Sequence, residues 1–185
     1  TYSGSNFVHG RYKGLDIMYS DSHLQREEED INEDGKKRKY YVPAFEGQWI
    51  ICVFGKQLPA ALRLREYPKA NLIKSKSDIE TEHPEFNKKH RIITSDGHAA
   101  FYVLTPQFME YILVADELTH VRTYFCFGGS QVHIAIDTRR DSLKLKQSKL
   151  HSAERIREKF RSELKYSTDI LDVLLYNGNF YREDI

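Results

Sequence analysis

One short stretch of the chain holds the best candidates for chemistry. His83 and His90 flank a turn that also carries Glu80, Glu82 and Glu85. Imidazole and carboxylate groups together can ligate a transition metal, which would activate a water molecule for hydrolysis. None of the eight histidines forms a His-x-x-x-His or His-Glu-x-x-His pair, so the simpler interpretation is a set of exposed loop histidines.

The segment Ser95-Asp96-Gly97-His98 contains the residue types of a hydrolase triad. Neighbours in one tight turn cannot converge on one substrate atom, because a triad takes its members from separate elements. The chain also lacks a Gly-x-Ser-x-Gly nucleophile elbow. We therefore interpret the segment as a polar turn. The alternative is a hydrolase or metal-dependent enzyme with a dispersed site made of His83, His90, Asp96 and His98.

Basic residues near the C-terminal third are the candidate contact for an anionic surface. Near an anionic leaflet each lysine or arginine is worth about 1 kcal/mol. An anionic-lipid-binding domain is therefore a second alternative, and a solvated linker is the simpler interpretation. The residues concerned are Arg139, Arg140, Lys144, Lys146 and Lys149.

Charge and glycine spacing argue against several other classes. The chain has 28 Lys and Arg against 27 Asp and Glu, a net charge of +1, so no overall field attracts nucleic acid. Its aromatic runs lack the interleaved cations that single-stranded nucleic acid needs. The glycines match neither a phosphate loop nor a dinucleotide fingerprint. We expect no catalytic residues, cofactor, metal or nucleic-acid partner.

The two cysteines, Cys52 and Cys126, both lie in apolar, strand-like runs. Neither has a Cys-x-x-Cys companion, which a metal or redox site would favour. The pattern predicts two buried thiols that pack as small hydrophobic groups.

Turn signals and alternating apolar residues predict about eight strands. They fall at 7–12, 15–20 extended by 24–30, 36–41, 45–54, 62–67, 90–94, 99–104 and a hairpin over 121–136. Acidic residues on the outgoing arm at 27–34 should pair with the basic run 36–39 on the returning arm. His133 alternates with the apolar positions of its strand and should face water or a neighbouring side chain.

Two helices complete the prediction. Thr105-Pro106 provides an N-cap and a first-turn proline for a helix over 105–118. This makes residues 90–136 a β-β-α-β-β unit. Ser152 can cap a C-terminal helix that Asn177-Gly178 would stop.

These elements indicate an α+β fold, a bent antiparallel sheet or open barrel of about eight strands with one internal helix and one C-terminal helix. A pleckstrin-homology-like sandwich is a topological alternative. The predicted organisation is a β-rich core with the internal helix at 1–138, a basic linker at 139–151, and a helix and tail at 152–185 packed on the core.

Six short segments are distinctive when their order and spacing along the chain are taken together. They are Tyr2-Ser-Gly, Val8-His-Gly-Arg-Tyr, Phe45-Glu-Gly-Gln-Trp-Ile, Glu85-Phe-Asn-Lys-Lys-His with Ile92 and Asp96, Tyr102-Val-Leu-Thr-Pro-Gln-Phe-Met, and Phe127-Gly-Gly-Ser-Gln-Val-His-Ile-Ala-Ile. Together they resemble a bacterial family of unknown function, domain-of-unknown-function family thirty-one thirty-seven. The resemblance implies two hydrophobic helices ahead of a soluble domain, and no activity, cofactor or catalytic residue.

The chain begins at Thr1 without Met, so we expect a fragment of a longer protein, bound to the membrane through a missing N-terminal segment. The resemblance places it on the cytoplasmic face of the bacterial inner membrane. The leading expectation is a non-catalytic interaction or regulatory domain of a membrane-anchored protein, with an unknown protein partner.

Overall fold

Seven strands and four helices make up the described part of the chain, which is residues 1–31, 35–58, 60–67, 79–119, 121–140 and 152–176 of a computed structural model. The strands are β1 (Tyr2–Tyr12), β2 (Leu15–Ile31), β3 (Lys37–Val53), β4 (Leu62–Glu66), β5 (His90–Thr94), β6 (Arg122–Gly128) and β7 (Gln131–Asp137). The helices are α1 (Pro84–Lys89), α2 (Gly97–Val103), α3 (Pro106–Thr119) and α4 (Ala153–Tyr176).

All described strands belong to one antiparallel sheet in the order β1-β2-β3-β7-β6-β4-β5. The predicted α+β class and open antiparallel sheet are confirmed, with seven strands instead of about eight. Segments 15–20 and 24–30 join into the single strand β2, and 36–41 and 45–54 join into β3. The described strands form one sheet, whereas the sandwich alternative requires two.

The prediction of a strand at residues 99–104 is wrong, because residues 99–103 lie in helix α2. The carboxylate of Asp96 accepts a hydrogen bond from the backbone N–H of His98 at 2.9 Å, which starts the helix. One helix face is buried, through Ala100 and Val103, with Leu104 just beyond the helix. The unit is therefore β-α-α-β-β, and with α1 the described residues contain three helices before α4, where one was predicted.

Helix α3 begins as the sequence predicts. The Thr105 hydroxyl accepts a hydrogen bond from the Phe108 N–H at 3.3 Å, and Pro106 is the first helical residue. The ring of Phe108 packs edge-on against Phe125 and Phe127 of β6, with centroids 5.7 and 6.1 Å away. Helix α3 therefore covers the centre of one sheet face.

The described helices pack on one face of the sheet only. We call the inner face the one on which the helices pack, with Ile50, Leu64, Phe125 and Ile134 among its buried residues. Successive residues of a strand point to opposite faces, so the alternate residues form the outer face. The outer-face residue Trp49 is half-buried.

Helix α4 packs its apolar residues on the inner face, including Ile170, Leu171 and Leu174, which are buried. The Ser152 hydroxyl accepts a hydrogen bond from the Arg155 N–H at 3.3 Å, as its predicted capping role requires. The predicted stop at Asn177-Gly178 and residues 141–151 of the predicted linker lie outside the described residues.

The two cysteines differ in environment. Cys52 is fully buried on the inner face, as predicted, whereas Cys126 is half-buried and lies opposite His133 on the outer face. The prediction of a core position for Cys126 is wrong, because the alternation of β6 directs Phe125 and Phe127 inward and the residue between them outward.

The charged arms pair as predicted. Strands β2 and β3 continue past the rest of the sheet, from Gln25 opposite Pro43 to Ile31 opposite Lys37. Lys39 forms an ion pair with Glu27 and Lys37 forms one with Glu29, so two of the four basic side chains pair with the opposing arm. The acidic positions 33 and 34 lie outside the described residues.

Candidate functional site

His83, the first of the predicted candidates, lies at the N-terminus of helix α1. Its Nδ1 accepts a hydrogen bond from the Phe86 N–H at 3.3 Å, so the imidazole caps the helix. Its Nε2 lies 3.2 Å from Glu110 Oε2 on α3. His83 thus joins two helices.

His90 lies at the start of β5 and is buried. Its ring stacks on Phe86 with centroids 4.4 Å apart, and its Nε2 is 3.1 Å from Asp116 Oδ2 on α3. Two ionisable groups can be buried together when they face one another. The contact joins β5 to α3, while His90 Nδ1 has no hydrogen-bond partner among the described residues.

Asp96 and His98 meet at the start of α2, through the capping bond from the His98 backbone, while the His98 side chain is exposed. The four candidates thus fall at two helix starts and one strand start. The carboxylates that the two other histidines face, Glu110 and Asp116, were missed by sequence reasoning, since both lie more than 25 residues along the chain. No group of three or more His, Cys, Asp or Glu side chains suited to a metal occurs within the described residues. The dispersed enzyme site stays a prediction.

Two of the five predicted anionic-surface residues are described. Arg139 Nε lies 3.0 Å from Asp137 Oδ1, and Arg140 lies 2.9 Å from Glu163 of α4. The three lysines fall outside the described residues, so the proposed role of this segment also stays a prediction.

A groove with a cavity volume of about 370 Å³ runs along the outer face over β1, β2, β3 and β7. Alternation in the strands places most of its residues on the outer face, and most of its lining is apolar or aromatic. Its lining includes Tyr2, Phe7, Met18, Ser20, Ser22, Leu24, Trp49, Ile51 and His133. We call it the outer groove.

Trp49, the single tryptophan of the chain, forms the centre of the outer groove. Its indole N–H donates to His133 Nδ1 at 3.3 Å, and its ring meets Phe45 edge-on at 5.9 Å. Since an indole N–H only donates, His133 Nδ1 must be unprotonated and accept the bond. The neutral imidazole therefore carries its proton on Nε2. Burial lowers the pKa of His133 and favours this neutral form. The predicted outward direction of His133 is confirmed.

Three polar groups of the outer groove are paired with one another or with Trp49. The hydroxyl groups of Ser20 and Ser22 are 3.0 Å apart, and His133 Nδ1 is occupied by Trp49. A serine nucleophile needs a base that takes its proton, and the imidazole nitrogen nearest Trp49 is engaged. The mostly apolar lining suits the binding of apolar groups.

A second, smaller cleft of about 180 Å³ lies between strands β1 to β3 and helix α4. Tyr19, Ile50, Leu164 and Leu171 line it. Lys13 Nζ forms an ion pair with Asp172 at 2.8 Å beside it. It is the seam where α4 packs on the inner face.

The outer groove carries a weak signal in the sequence. Met18, Ser20, Ser22 and Leu24 share one face of β2, but they mix apolar and polar types, so alternation does not distinguish them from a solvated face. Only the pairing of β2 with β3 sets Trp49 beside them.

One family model matches well over half of the chain, residues 43–175, and its description is protein of unknown function, DUF3137. The match begins within β3 and ends within α4. No curated protein matches the chain at a significant level.

A solved structure that resembles the chain is the crystal structure of the mycobacterial trehalose monomycolate transport factor A, TtfA. It shares 11% identity, covers 92% of this chain and 73% of that chain, and has a TM-score of 0.43. A similarity this low carries no argument about function.

Among the described residues, no helix is long and apolar enough to cross a membrane.

Proposed function

The chain belongs to the DUF3137 family of proteins of unknown function, and we propose that its domain is a non-catalytic binding module that uses the outer groove. The observation that carries the proposal is an apolar groove centred on Trp49, on the sheet face that the helices leave open. Water against such a surface is released when a ligand covers it, which favours binding.

The rim of the groove supports this role. Tyr2 and Phe7 are 67% and 69% exposed, although large aromatic side chains gain most from burial. Contiguous exposed apolar surface on a folded domain marks interaction sites more often than solvated surface. The rim would close over a ligand that lies beside Trp49.

We propose further that this module belongs to a longer, membrane-anchored protein and works at the cytoplasmic face of the bacterial inner membrane. The support is the resemblance of its motifs to a family whose members have hydrophobic helices ahead of such a domain. In that setting the module would bring a bound ligand or partner to the membrane protein that carries it.

The test uses Nile red, a neutral dye that fluoresces in apolar surroundings. We expect the dye to bind with quenching of Trp49 emission and to bind far less to Met18→Glu, since a carboxylate in the groove is costly to desolvate. The matched control is Val114→Glu, which adds the same charge on the exposed side of α3, where Val114 is 46% exposed.

Retention of dye binding in Met18→Glu, with a native circular dichroism spectrum, would contradict the groove as the binding surface. Equal loss in both Glu variants would contradict it too, since the effect would then come from charge alone.

A further inference from the structure

Arginine side chains gather on the outer face beyond the groove. Arg63 and Arg65 of β4 are exposed, and the half-buried Arg91 of β5 lies directly opposite Arg65. Residues opposite one another in an antiparallel pair share a face, with Cβ atoms about 5 Å apart. Positions two apart on one strand share it too, at about 7 Å. Three guanidinium groups therefore lie within a compact area.

Arg63 and Arg65 are the members of this cluster with charge to spare. Arg91 has a further interaction of its own, whereas no hydrogen bond or ion pair joins the side chains of Arg63 and Arg65 to another residue in the described ranges. Like charges close together on a sheet face repel one another, and a bound anion would reduce that repulsion. A guanidinium fork can bind phosphate oxygens in a bidentate manner.

The cluster is continuous with the outer groove. A row of register partners crosses the outer face in the order Trp49, Ala135, Tyr124, Arg65 and Arg91. Strands lie about 4.8 Å apart, so three spacings separate Trp49 from Arg65 by about 14 Å. The mostly apolar groove over β1, β2, β3 and β7 thus lies on the same face as the arginines of β4 and β5.

We propose that the outer face docks on the surface of a bilayer that contains anionic phospholipid. This inference rests on the proposed function, because it names phospholipid as the class of ligand that the outer groove binds. Arg63 and Arg65 bind lipid phosphate groups, while Trp49, Tyr2 and Phe7 enter the interface between headgroups and acyl chains. Aromatic rings with one polar end favour that interface. Cations beside the surface add attraction for anionic lipid.

An acidic peptide fits this face less well. The backbone groups of the central strands are used in the sheet ladder, so a peptide lying across the face would gain none of the main-chain hydrogen bonds that give affinity to a peptide added at a sheet edge. A lipid chain has no such groups to satisfy.

Single-stranded nucleic acid also fits less well. It needs cations along a track and several exposed rings on which successive bases stack. Here the arginines form one compact group on two strands, and Tyr124, the aromatic residue beside Arg65, is half-buried. A single patch of phosphate-binding charge next to an apolar groove matches a membrane surface.

The experiment is sedimentation with vesicles of phosphatidylcholine alone and vesicles in which part of it is replaced by phosphatidylglycerol. We expect binding to the anionic vesicles only, weakened by salt, with a blue shift of Trp49 emission. In Arg63→Ala/Arg65→Ala the apparent affinity should fall about 30-fold, from about 1 kcal/mol for each arginine.

The matched control is Arg155→Ala/Arg157→Ala on the exposed surface of α4, which removes the same charge and should bind as the parent does. Equal binding to both vesicle types, or equal weakening in the two double variants, would overturn the proposal. So would binding of a single-stranded DNA oligonucleotide or of polyglutamate through Arg63 and Arg65 by a domain that ignores vesicles.

Nile red separates the two proposals. The dye is uncharged, so Arg63→Ala/Arg65→Ala should bind it as the parent does. If the parent binds the dye, but the parent and Arg63→Ala/Arg65→Ala bind anionic vesicles equally, the membrane proposal is overturned and the groove remains a binding site. Loss of dye binding in Met18→Glu together with arginine-dependent vesicle binding supports both.

Discussion

The hydroxyl of Ser167 donates a hydrogen bond of 2.9 Å to Gln48 Oε1, and this bond is buried between helix α4 and strand β3. The Gln48 amide nitrogen donates to the Glu163 carbonyl at 3.1 Å, so both ends of the side chain are paired. These bonds fix the position of helix α4 along strand β3, because a shift of the helix would leave polar atoms buried without hydrogen-bond partners.

Ser167→Ala should lower the free energy of unfolding by about 1–3 kcal/mol, because it leaves Gln48 Oε1 buried and unpaired. Urea denaturation measures the change. Ser162→Ala, at an exposed position of the same helix, is the control and should stay within about 0.5 kcal/mol of the parent. Similar stability of the two variants would mean that water satisfies Gln48.

Ile112→Ala should cost about 2–5 kcal/mol, because the side chain is only 2% exposed and its removal leaves a cavity between α3 and the sheet. Val114→Ala, two residues on, removes methyl groups from an exposed side chain and should cost far less. Thr105→Ala should cost about 1 kcal/mol through loss of the N-cap. Urea melts in which Ile112→Ala equals the parent would contradict the packing of α3.

The two cysteines should behave differently. Burial, and then the nearby Asp16 carboxylate, raises the pKa of the Cys52 thiol to about 12, so thiol reagents should leave it unmodified until the domain unfolds. The half-buried Cys126 should react in the native state. Cys52→Ser should cost about 1–3 kcal/mol for burying a hydroxyl, and Cys126→Ser should cost less. Rapid labelling of both thiols in native protein would contradict this assignment.

Stability should depend on the protonation of His133. Its pKa in the folded domain is lowered by burial from the ordinary 6.5, so below that pH the unfolded chain binds the proton more readily than the folded one. Stability should fall as pH drops from 6.5 towards the folded pKa, and then level off. Above 6.5 this group contributes no pH dependence.

The same protonation should be visible in fluorescence. A proton on Nδ1 removes the acceptor for the Trp49 indole, so Trp49 emission should change with a midpoint below pH 6.5. His133→Phe should abolish the change. A midpoint at or above 6.5 would show that the imidazole is not held neutral by the groove.

Local patterns predicted much of the fold, and failed where tertiary context reversed a propensity. Phe101 and Tyr102 favour strands, yet they lie exposed on helix α2. The cap at Asp96 and the burial of Ala100 and Val103 on the opposite side decide the conformation. Where caps and apolar spacing agreed, as at Thr105 and α3, the prediction was confirmed.

The outer face could not be derived from local patterns. Strand β4 lies between β5 and β6, although β6 follows β5 along the chain. This order alone sets Arg65 beside Tyr124 and Arg91, residues far apart in sequence. Hydrophobic periodicity tells which residues of a strand share a face, but it does not tell which strands are neighbours.

The extended arm of β2 and β3 has a consequence for how the molecule opens. Past Leu24 and Phe45 the two strands pair only with each other among the described strands, and an isolated two-stranded ribbon is marginally stable in water. The backbone amides of this ribbon should exchange with deuterium through local fraying, whereas the amides of the central strands should exchange only through global unfolding. The far end of the described pairing, at Ile31 and Lys37, is therefore a position for a spectroscopic label that leaves the rest of the domain undisturbed.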